Sequence, residues 1–268
     1  MDLNTVTALH RPGDRTDLTG RLGPGTAALA GGTWLFSQPQ PDLHTLVDLT
    51  GLGWPPLTVT ARGLEIAATC TLAELTGFAA APGWPAAALF RACCEALAGS
   101  FKIWHTATVG GNICLALPAG PMTSLAAALD GTALLWSGAD SQRRIPVAEF
   151  VVGDRRTALR PGEVLRAIEL PAAALAARTA FRRAALATQG RSGSVVIGRR
   201  DADGAFVLTV TAATDRPRRL AFAALPAAAE LAGALARIDR WFDDPHGAPD
   251  WRRAVTLLLA EEVRAELA

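Results

Sequence analysis

The sequence predicts an α+β protein in which a larger α/β domain precedes a smaller domain of antiparallel strands and helices. Half of its 268 residues are hydrophobic, enough for one large core or two smaller ones. Short strand and helix patterns alternate as far as residue 171. Beyond the alanine-rich segment 172–177, four short strands follow at the spacing of a meander, and two helices close the chain. We therefore divide the chain into residues 1–172 and 178–268.

The first part begins with a short helical pattern at 14–23 and then mixes strands with helices. Apolar or alternating runs predict strands, and 57–60 with 64–67 form a hairpin around Arg62-Gly63. The strand segments are 26–30, 45–49, 57–60, 64–67, 106–109, 132–136, 144–146 and 162–171. Thr71 and Glu74 have the spacing of a capping box that opens a helix. Apolar residues at helical spacing predict further helices at 86–98 and 122–129.

The second part has a simpler order of elements. Its strands are predicted at 181–186, 194–199, 206–211 and 220–225, and its helices at 226–239 and 249–267. The short connections between these strands favour an antiparallel sheet in sequence order.

Two double-glycine turns stand out because each follows a strand-like run. Gly31-Gly32-Thr33 follows the strand at 26–30, and Gly110-Gly111-Asn112 follows the β-branched run Thr106–Val109. Adjacent glycines leave no Cβ to block a bound group, and consecutive amides in such a turn can hold an anion. The alternative is a pair of tight turns between core elements. Because a diphosphate needs amides from more than one loop, the two turns together favour a dinucleotide site.

Composition excludes several classes of protein. With 26 basic and 25 acidic residues, the formal net charge is +1, so no global field favours nucleic acid or an anionic membrane. No apolar run reaches the ~20 residues of a spanning helix, and the polar start lacks a signal-peptide core. We expect a soluble, cytoplasmic protein.

The sequence offers no catalytic or metal-binding motif. It lacks Gly-x-Gly-x-x-Gly, a Walker loop and Gly-x-Ser-x-Gly. The four cysteines fit no metal spacing, and the four histidines are scattered. We therefore expect no metal and no catalytic side chain on this chain, and a bound cofactor that carries the chemistry.

Over almost its whole length the chain resembles the FAD-binding medium subunit of the molybdenum hydroxylases, the xanthine, aldehyde, nicotinate and carbon monoxide dehydrogenase family. The two glycine motifs, in this order, are the specific part of the resemblance. The matching stretches are Leu29–Leu35, Thr106–Ile113, Leu117–Gly120, Ala128–Gly131, Arg144–Phe150, Leu159–Pro171 and Gly247–Arg253.

The resemblance implies a two-subdomain FAD-binding domain of the PCMH type, followed by a C-terminal domain of the carbon monoxide dehydrogenase flavoprotein type. Gly31, Gly32 and Thr33 would hold the FAD diphosphate, Leu165 would pack near the flavin, and Arg182 would lie near the isoalloxazine ring. The residues assigned to FAD in this way are Leu29, Ala30, Gly31, Gly32, Thr33, Trp34, Leu35, Thr108, Gly110, Gly111, Asn112, Leu165 and Arg182.

The same resemblance implies a heterotrimer, or its dimer. A large subunit would carry the molybdopterin cofactor and hydroxylate the substrate, and a small subunit would carry two [2Fe–2S] clusters. Electrons would pass from the clusters to FAD on this chain, and then to NAD⁺, oxygen or another acceptor.

Three departures from the family pattern keep two alternatives open. Trp34 stands where members usually have aspartate, Trp104-His105 replaces arginine-asparagine, and Pro121 replaces an aspartate that contacts the cofactor in many members. The chain could therefore be a degenerate flavin domain that acts as a scaffold in the complex. A stand-alone flavin oxidase or reductase is the other alternative, against which the C-terminal part argues.

Overall fold

A computed structural model describes residues 3–268. Its strands are β1 (Ala8–His10), β2 (Thr26–Leu29), β3 (Thr45–Asp48), β4 (Leu57–Thr60), β5 (Gly63–Ala67), β6 (Thr132–Ser137), β7 (Ser141–Pro146), β8 (Val151–Gly153), β9 (Arg156–Thr157), β10 (Glu163–Pro171), β11 (Arg178–Ala184), β12 (Ser194–Arg200), β13 (Phe206–Thr211) and β14 (Arg218–Phe222). Its α-helices are α1 (Arg15–Leu18), α2 (Leu72–Thr76), α3 (Ala88–Glu95), α4 (Phe101–Trp104), α5 (Val109–Leu115), α6 (Pro121–Ala128), α7 (Val147–Phe150), α8 (Ala172–Leu175), α9 (Ala228–Ala236) and α10 (Pro249–Glu266). This mixture of helices and sheets confirms the predicted fold class.

Three sheets organise the chain. Near the N-terminus, β3 lies between β1 and β2 and is parallel to both. A five-stranded antiparallel sheet has the order β4-β5-β10-β6-β7, so the long strand β10 is central, with a bulge between Leu165 and Ala167. The C-terminal sheet runs β11-β12-β13-β14 in sequence order, as the predicted meander requires.

Local sequence signals account for several elements. The hairpin of β4 and β5 turns at the predicted place, and β10 covers nearly all of the predicted 162–171 strand. At α2, the Thr71 hydroxyl accepts from the Glu74 amide while the Glu74 carboxylate accepts from the Thr71 amide, so the predicted capping box is present. Elements without such a signal, such as β1 and α4, were not predicted.

The predicted strand at 106–109 is wrong. Val109 is the first residue of α5, and Gly110, Gly111 and Asn112 lie in its first turn. The Thr108 hydroxyl accepts a 3.1 Å hydrogen bond from the Gly111 amide, so Thr108 is an N-cap. Capping by this threonine outweighs the weak strand preference of a four-residue β-branched run. The second double glycine is therefore part of a helix and not a turn after a strand.

Helix α6 is buried along its whole length, from Pro121 to Ala128. It packs against α3 and α5 on one side and against β12 and β13 on the other. The Ser124 hydroxyl lies 2.6 Å from the Thr211 hydroxyl, and the Ala212 amide donates to the Pro118 carbonyl at 2.8 Å. The main hydrophobic core therefore includes residues from both parts of the chain.

No helix among residues 3–268 combines the length and the apolar composition needed to cross a lipid bilayer.

Candidate functional site

A cavity of about 670 Å³ lies between the two glycine motifs. One wall is the end of β2 with the segment behind it, another is α5 with its N-cap, and the floor is the start of β10. Its lining is mostly apolar. The lining residues assigned to FAD by sequence resemblance are Ala30, Gly31, Gly32, Thr33, Trp34, Leu35, Thr108, Gly110, Gly111, Asn112 and Leu165. The structure therefore gathers eleven of the thirteen assigned residues around one cavity.

Two glycines allow close approach in the walls of the cavity, Gly31 between the two motifs and Gly110 between α5 and the end of β5. A Cβ on Gly31 would overlap the carbonyl oxygen of Thr106. A Cβ on Gly110 would lie 2.5 Å from the Cβ of Ala68, at the end of β5. Any side chain at either position would push a wall of the cavity away from its neighbour.

The amides of the two motifs differ in availability. Within residues 3–268, no hydrogen bond engages the N–H of Gly31, Gly32 or Thr33, which are half-buried at the cavity. In contrast, the amides of Gly110 and Gly111 donate to Ala68 and Thr108 at 3.0 and 3.1 Å. Free N–H groups at a cavity suit an anion, so the first motif offers three backbone donors to a diphosphate, whereas the paired glycines of the second motif offer none.

Asn112, which lines the cavity, is connected to the helix that begins at Pro121. The Asn112 side-chain oxygen accepts from the Met122 amide at 3.0 Å and so caps α6. Pro121 is the first residue of that helix, where its missing N–H costs nothing. The proline at position 121 is therefore explained by its place at the start of α6. The amide of the next residue, Met122, is hydrogen-bonded to Asn112 of α5.

Two charged side chains line the cavity, Glu163 and Arg191. Glu163 is buried, and its carboxylate accepts two 2.7 Å bonds from Arg143 and one at 2.8 Å from the Arg160 amide. These bonds, above all those of Arg143, hold the pKa of Glu163 below its ordinary value. Among the described residues, no hydrogen bond or ion pair engages the Arg191 side chain. Arg191 therefore supplies the unmatched charge of the lining.

Apolar and aromatic groups complete the lining. The Trp34 ring lies under the Arg155 guanidinium, 5.6 Å from its carbon atom, as in a cation–π pair. Cys114 also lines the cavity, and burial raises the pKa of its thiol to about 12. The thiol is therefore protonated near neutral pH and a poor nucleophile. Leu165 lies on β10, beside the bulge.

Two assigned residues lie away from the cavity. Leu29 ends β2 and does not contribute to the lining. Arg182, on β11, pairs with Glu262 at 2.9 Å and with Glu266 at 2.7 Å, both on α10. The cation of the C-terminal part that lines the cavity is Arg191 instead.

Sequence reasoning missed Arg191, Glu163 and Cys114 as lining residues. Arg191 lies in the loop between β11 and β12, where no pattern marks a site, and Glu163 belongs to an alternating strand. Within residues 3–268, no group of three or more His, Cys, Asp or Glu side chains is placed to hold a metal ion. The arrangement is thus a largely apolar pocket with free amides and one unpaired cation, suited to an anionic ligand with flat apolar rings.

Comparison with known proteins gives this site a context. Residues 6–173 match the family described as the FAD binding domain in molybdopterin dehydrogenase. Over 137 residues the chain is 30% identical to xanthine dehydrogenase from Oryza sativa subsp. japonica, a match that covers 49% of this chain and 9% of that protein. The chain thus spans about a tenth of the length of this relative.

Similar solved structures share the fold over nearly the whole chain. Carbon monoxide dehydrogenase from Hydrogenophaga pseudoflava, lacking the Mo-pyranopterin moiety of its cofactor, has a TM-score of 0.80 at 20% identity, covering 96% of each chain. Quinoline 2-oxidoreductase from Pseudomonas putida 86 scores 0.81 at 19% identity, covering 100% of this chain and 98% of that one. Reconstituted CO dehydrogenase from Oligotropha carboxidovorans scores 0.81 at 21% identity, covering 96% and 97%.

Proposed function

This chain belongs to the family of FAD-binding domains in molybdopterin dehydrogenases, and from that premise we propose that it is the flavin-carrying electron-transfer subunit of a molybdenum hydroxylase or dehydrogenase. The observation that carries the proposal is the cavity between the two glycine motifs, with the free amides of Gly31, Gly32 and Thr33 at one wall.

The residues present fit FAD. A diphosphate is a dianion, and amide donors to an anion make strong, charge-assisted hydrogen bonds. The missing Cβ of Gly31 lets its turn pack directly on the backbone of Thr106, which fixes these donors beside α5. A largely apolar cavity of about 670 Å³ is in the range of small-molecule and cofactor sites.

Each wall has its own task in this proposal. Gly31, Gly32 and Thr33 bind the diphosphate, and Thr108 and Asn112 hold α5 and α6 in place as the opposite wall. Trp34 and Leu165 exclude water from the apolar part. FAD, when bound, can exchange either one or two electrons, so it can accept single electrons from iron–sulfur clusters and pass two electrons to an acceptor.

The partners follow from the same proposal. By family resemblance, a large partner subunit would carry the molybdopterin cofactor and a small one the [2Fe–2S] clusters, and the described part of this chain has no cluster of metal ligands of its own. FAD bound to this chain would accept electrons from the clusters of the small subunit and would pass them to NAD⁺, oxygen or another acceptor. The division into residues 1–172, which hold FAD, and 178–268, which close the cavity from one side, is part of the proposal.

A flavin spectrum of the native complex tests the function. We expect the complex purified from its host to show flavin absorption bands that bleach when substrate reduces it. The full chain alone should also quench FAD fluorescence on titration. A complex that contains this chain but takes up no FAD, even at saturation, would reject electron transfer and favour a scaffold role.

A further inference from the structure

We propose that Arg191 places a positive charge beside the flavin ring and so makes the bound cofactor easier to reduce. This inference rests on the proposed function, because it requires FAD in the cavity. Sequence resemblance places Arg182 near that ring, but Arg182 is paired with Glu262 and Glu266 and does not line the cavity.

Among residues 3–268, the positive charge of Arg191 has no ion-pair or hydrogen-bond partner. The other charged lining residue, Glu163, is saturated by Arg143 and by the Arg160 amide. Arg182 is paired with two carboxylates of α10. Within residues 3–268, no acceptor is bonded to the Arg191 guanidinium, which is half-buried and cannot lose its proton near neutral pH.

The loop that carries Arg191 is anchored on both sides. The Gly190 carbonyl accepts a 2.6 Å bond from Arg183, and the Gly193 carbonyl accepts a 2.6 Å bond from Arg252. Arg252 is only 1% exposed, so this second anchor is part of the core. Arg191 therefore projects from a fixed loop, and its charge is held near one place.

Hydrogen bonds also fix which end of the cavity Arg191 occupies. The same Nη1 atom of Arg252 that binds Gly193 binds the Ala212 carbonyl at 2.6 Å. The Ala212 amide in turn donates to Pro118, between the lining residues Leu117 and Ala119. Arg191 thus belongs to the end of the cavity that lies past the C-terminus of α5.

The free amides of the first glycine motif lie at the opposite end. Gly31 packs on Thr106, just before the N-cap of α5. Helix α5 has seven residues, so about 10 Å of helix separates the two ends. The proposal places the diphosphate at Gly31–Thr33 and a ring of the dinucleotide at the Arg191 end.

Charge decides which ring gains from this position. The flavin ring takes up two electrons and one proton on reduction and so gains one negative charge, whereas the adenine ring keeps its charge. A fixed guanidinium in a water-poor, apolar cavity stabilises that negative charge more strongly than it would in water. The proposal therefore places the flavin ring at the Arg191 end of the cavity, where the guanidinium favours the reduced cofactor.

The test is the midpoint potential of FAD bound to the full chain, measured by dithionite titration against a reference dye. We expect R191Q to shift the reduction equilibrium about tenfold toward oxidised flavin, which is ~30 mV lower for a two-electron couple. R191K should retain most of the wild-type potential. R237Q removes the same charge from an exposed position at the end of α9 and should leave the potential unchanged.

Three outcomes would overturn the inference. An R191Q potential equal to that of the wild type would mean that Arg191 does not sense the flavin charge, even if FAD affinity falls. An equal fall in R237Q would point to net charge instead of position. If the wild-type chain binds no FAD, the proposed function fails first, and this inference fails with it. The melting temperature of each variant shows whether it is folded.

Discussion

At the scale of single residues, the cavity depends on two positions that have no side chain. Gly31 and Gly110 are each placed where a Cβ would overlap a neighbouring backbone or side chain. Gly31 packs on Thr106 beside the second motif and Gly110 packs on Ala68, and of these two glycines only Gly31 keeps an amide that is free, within the described part of the chain, for an anion. The distinction could not be read from the sequence, because Gly-Gly looks the same in a turn that offers its amides and in a helix that uses them.

Replacing Gly31 by alanine tests this close packing. The new Cβ would overlap the Thr106 carbonyl oxygen, and relief requires the backbone of one motif to move. We expect G31A to lower the free energy of unfolding by about 1–3 kcal/mol and to weaken FAD binding at least tenfold, as measured by chemical denaturation and fluorescence titration.

The control is G233A, on α9, where a Cβ would meet nothing within 4 Å. It should keep FAD affinity and gain up to about 1 kcal/mol, because alanine is the better helix former. If G31A behaves like G233A, close approach is not the reason for the glycine.

The carboxylate of Glu163 gives a prediction about pH. Its pKa is held below the ordinary value by Arg143, so the stabilisation is fully present above pH ~4.5 and is lost as pH falls through the lowered pKa. At pH 7 we expect E163Q to cost about 1.5–3 kcal/mol. The two proteins should converge in stability only where the pH falls below the lowered pKa of Glu163, which acid titration followed by circular dichroism can measure. A constant difference across this range would contradict the ion pair.

At the scale of elements, the strongest local signals predicted the structure well. The capping box of α2, the hairpin of β4 and β5 and the meander β11–β14 each have a pattern that one segment carries by itself. Helix α5 has no such local pattern, because two glycines and an asparagine are poor helix formers. Its existence depends on the Thr108 cap and on amide bonds to Ala68 and Cys70, which only the folded chain brings together.

Asn112 connects α5 to α6, and a pair of variants can separate this role from contact with FAD. N112A removes the acceptor for the Met122 amide, so we expect the FAD-free chain to lose about 1 kcal/mol of unfolding free energy. N112D keeps an acceptor at the helix N-terminus and should retain that stability. Denaturation without FAD measures both. An FAD-free N112A as stable as the wild type would leave cofactor contact as the sole role of Asn112.

At the scale of the whole molecule, ion pairs join the two parts of the chain. Asp130 follows α6 and has a φ of 52°, a left-handed conformation that asparagine and aspartate tolerate better than most residues. It pairs with Arg199 of β12 at 2.5 Å and with Arg219 of β14. Arg199 is buried, with 4% of its surface exposed, so its charge needs the carboxylates of Asp130 and of Asp201, the second at 2.8 Å.

The variant D130N tests this connection, because asparagine suits the same backbone conformation while removing the charge. We expect it to lower the free energy of unfolding by about 1–3 kcal/mol and to broaden or split the calorimetric transition, since the two parts would unfold less cooperatively. D140N, on the exposed hairpin between β6 and β7, should change neither property. A D130N transition that stays sharp and unshifted would show that apolar packing alone couples the parts.

The fully buried helix α6 also has a consequence for biosynthesis. Its two faces are covered by segments made at different times, since β13 ends at Thr211, 83 residues after Ala128 (211 − 128). At 5–20 residues per second, a ribosome leaves the second face uncovered for about 4–17 s. During this time the nascent chain carries an apolar helix with one uncovered face. Its own C-terminal sheet must cover that face before another chain binds there, so the yield of folded protein depends on prompt completion of translation.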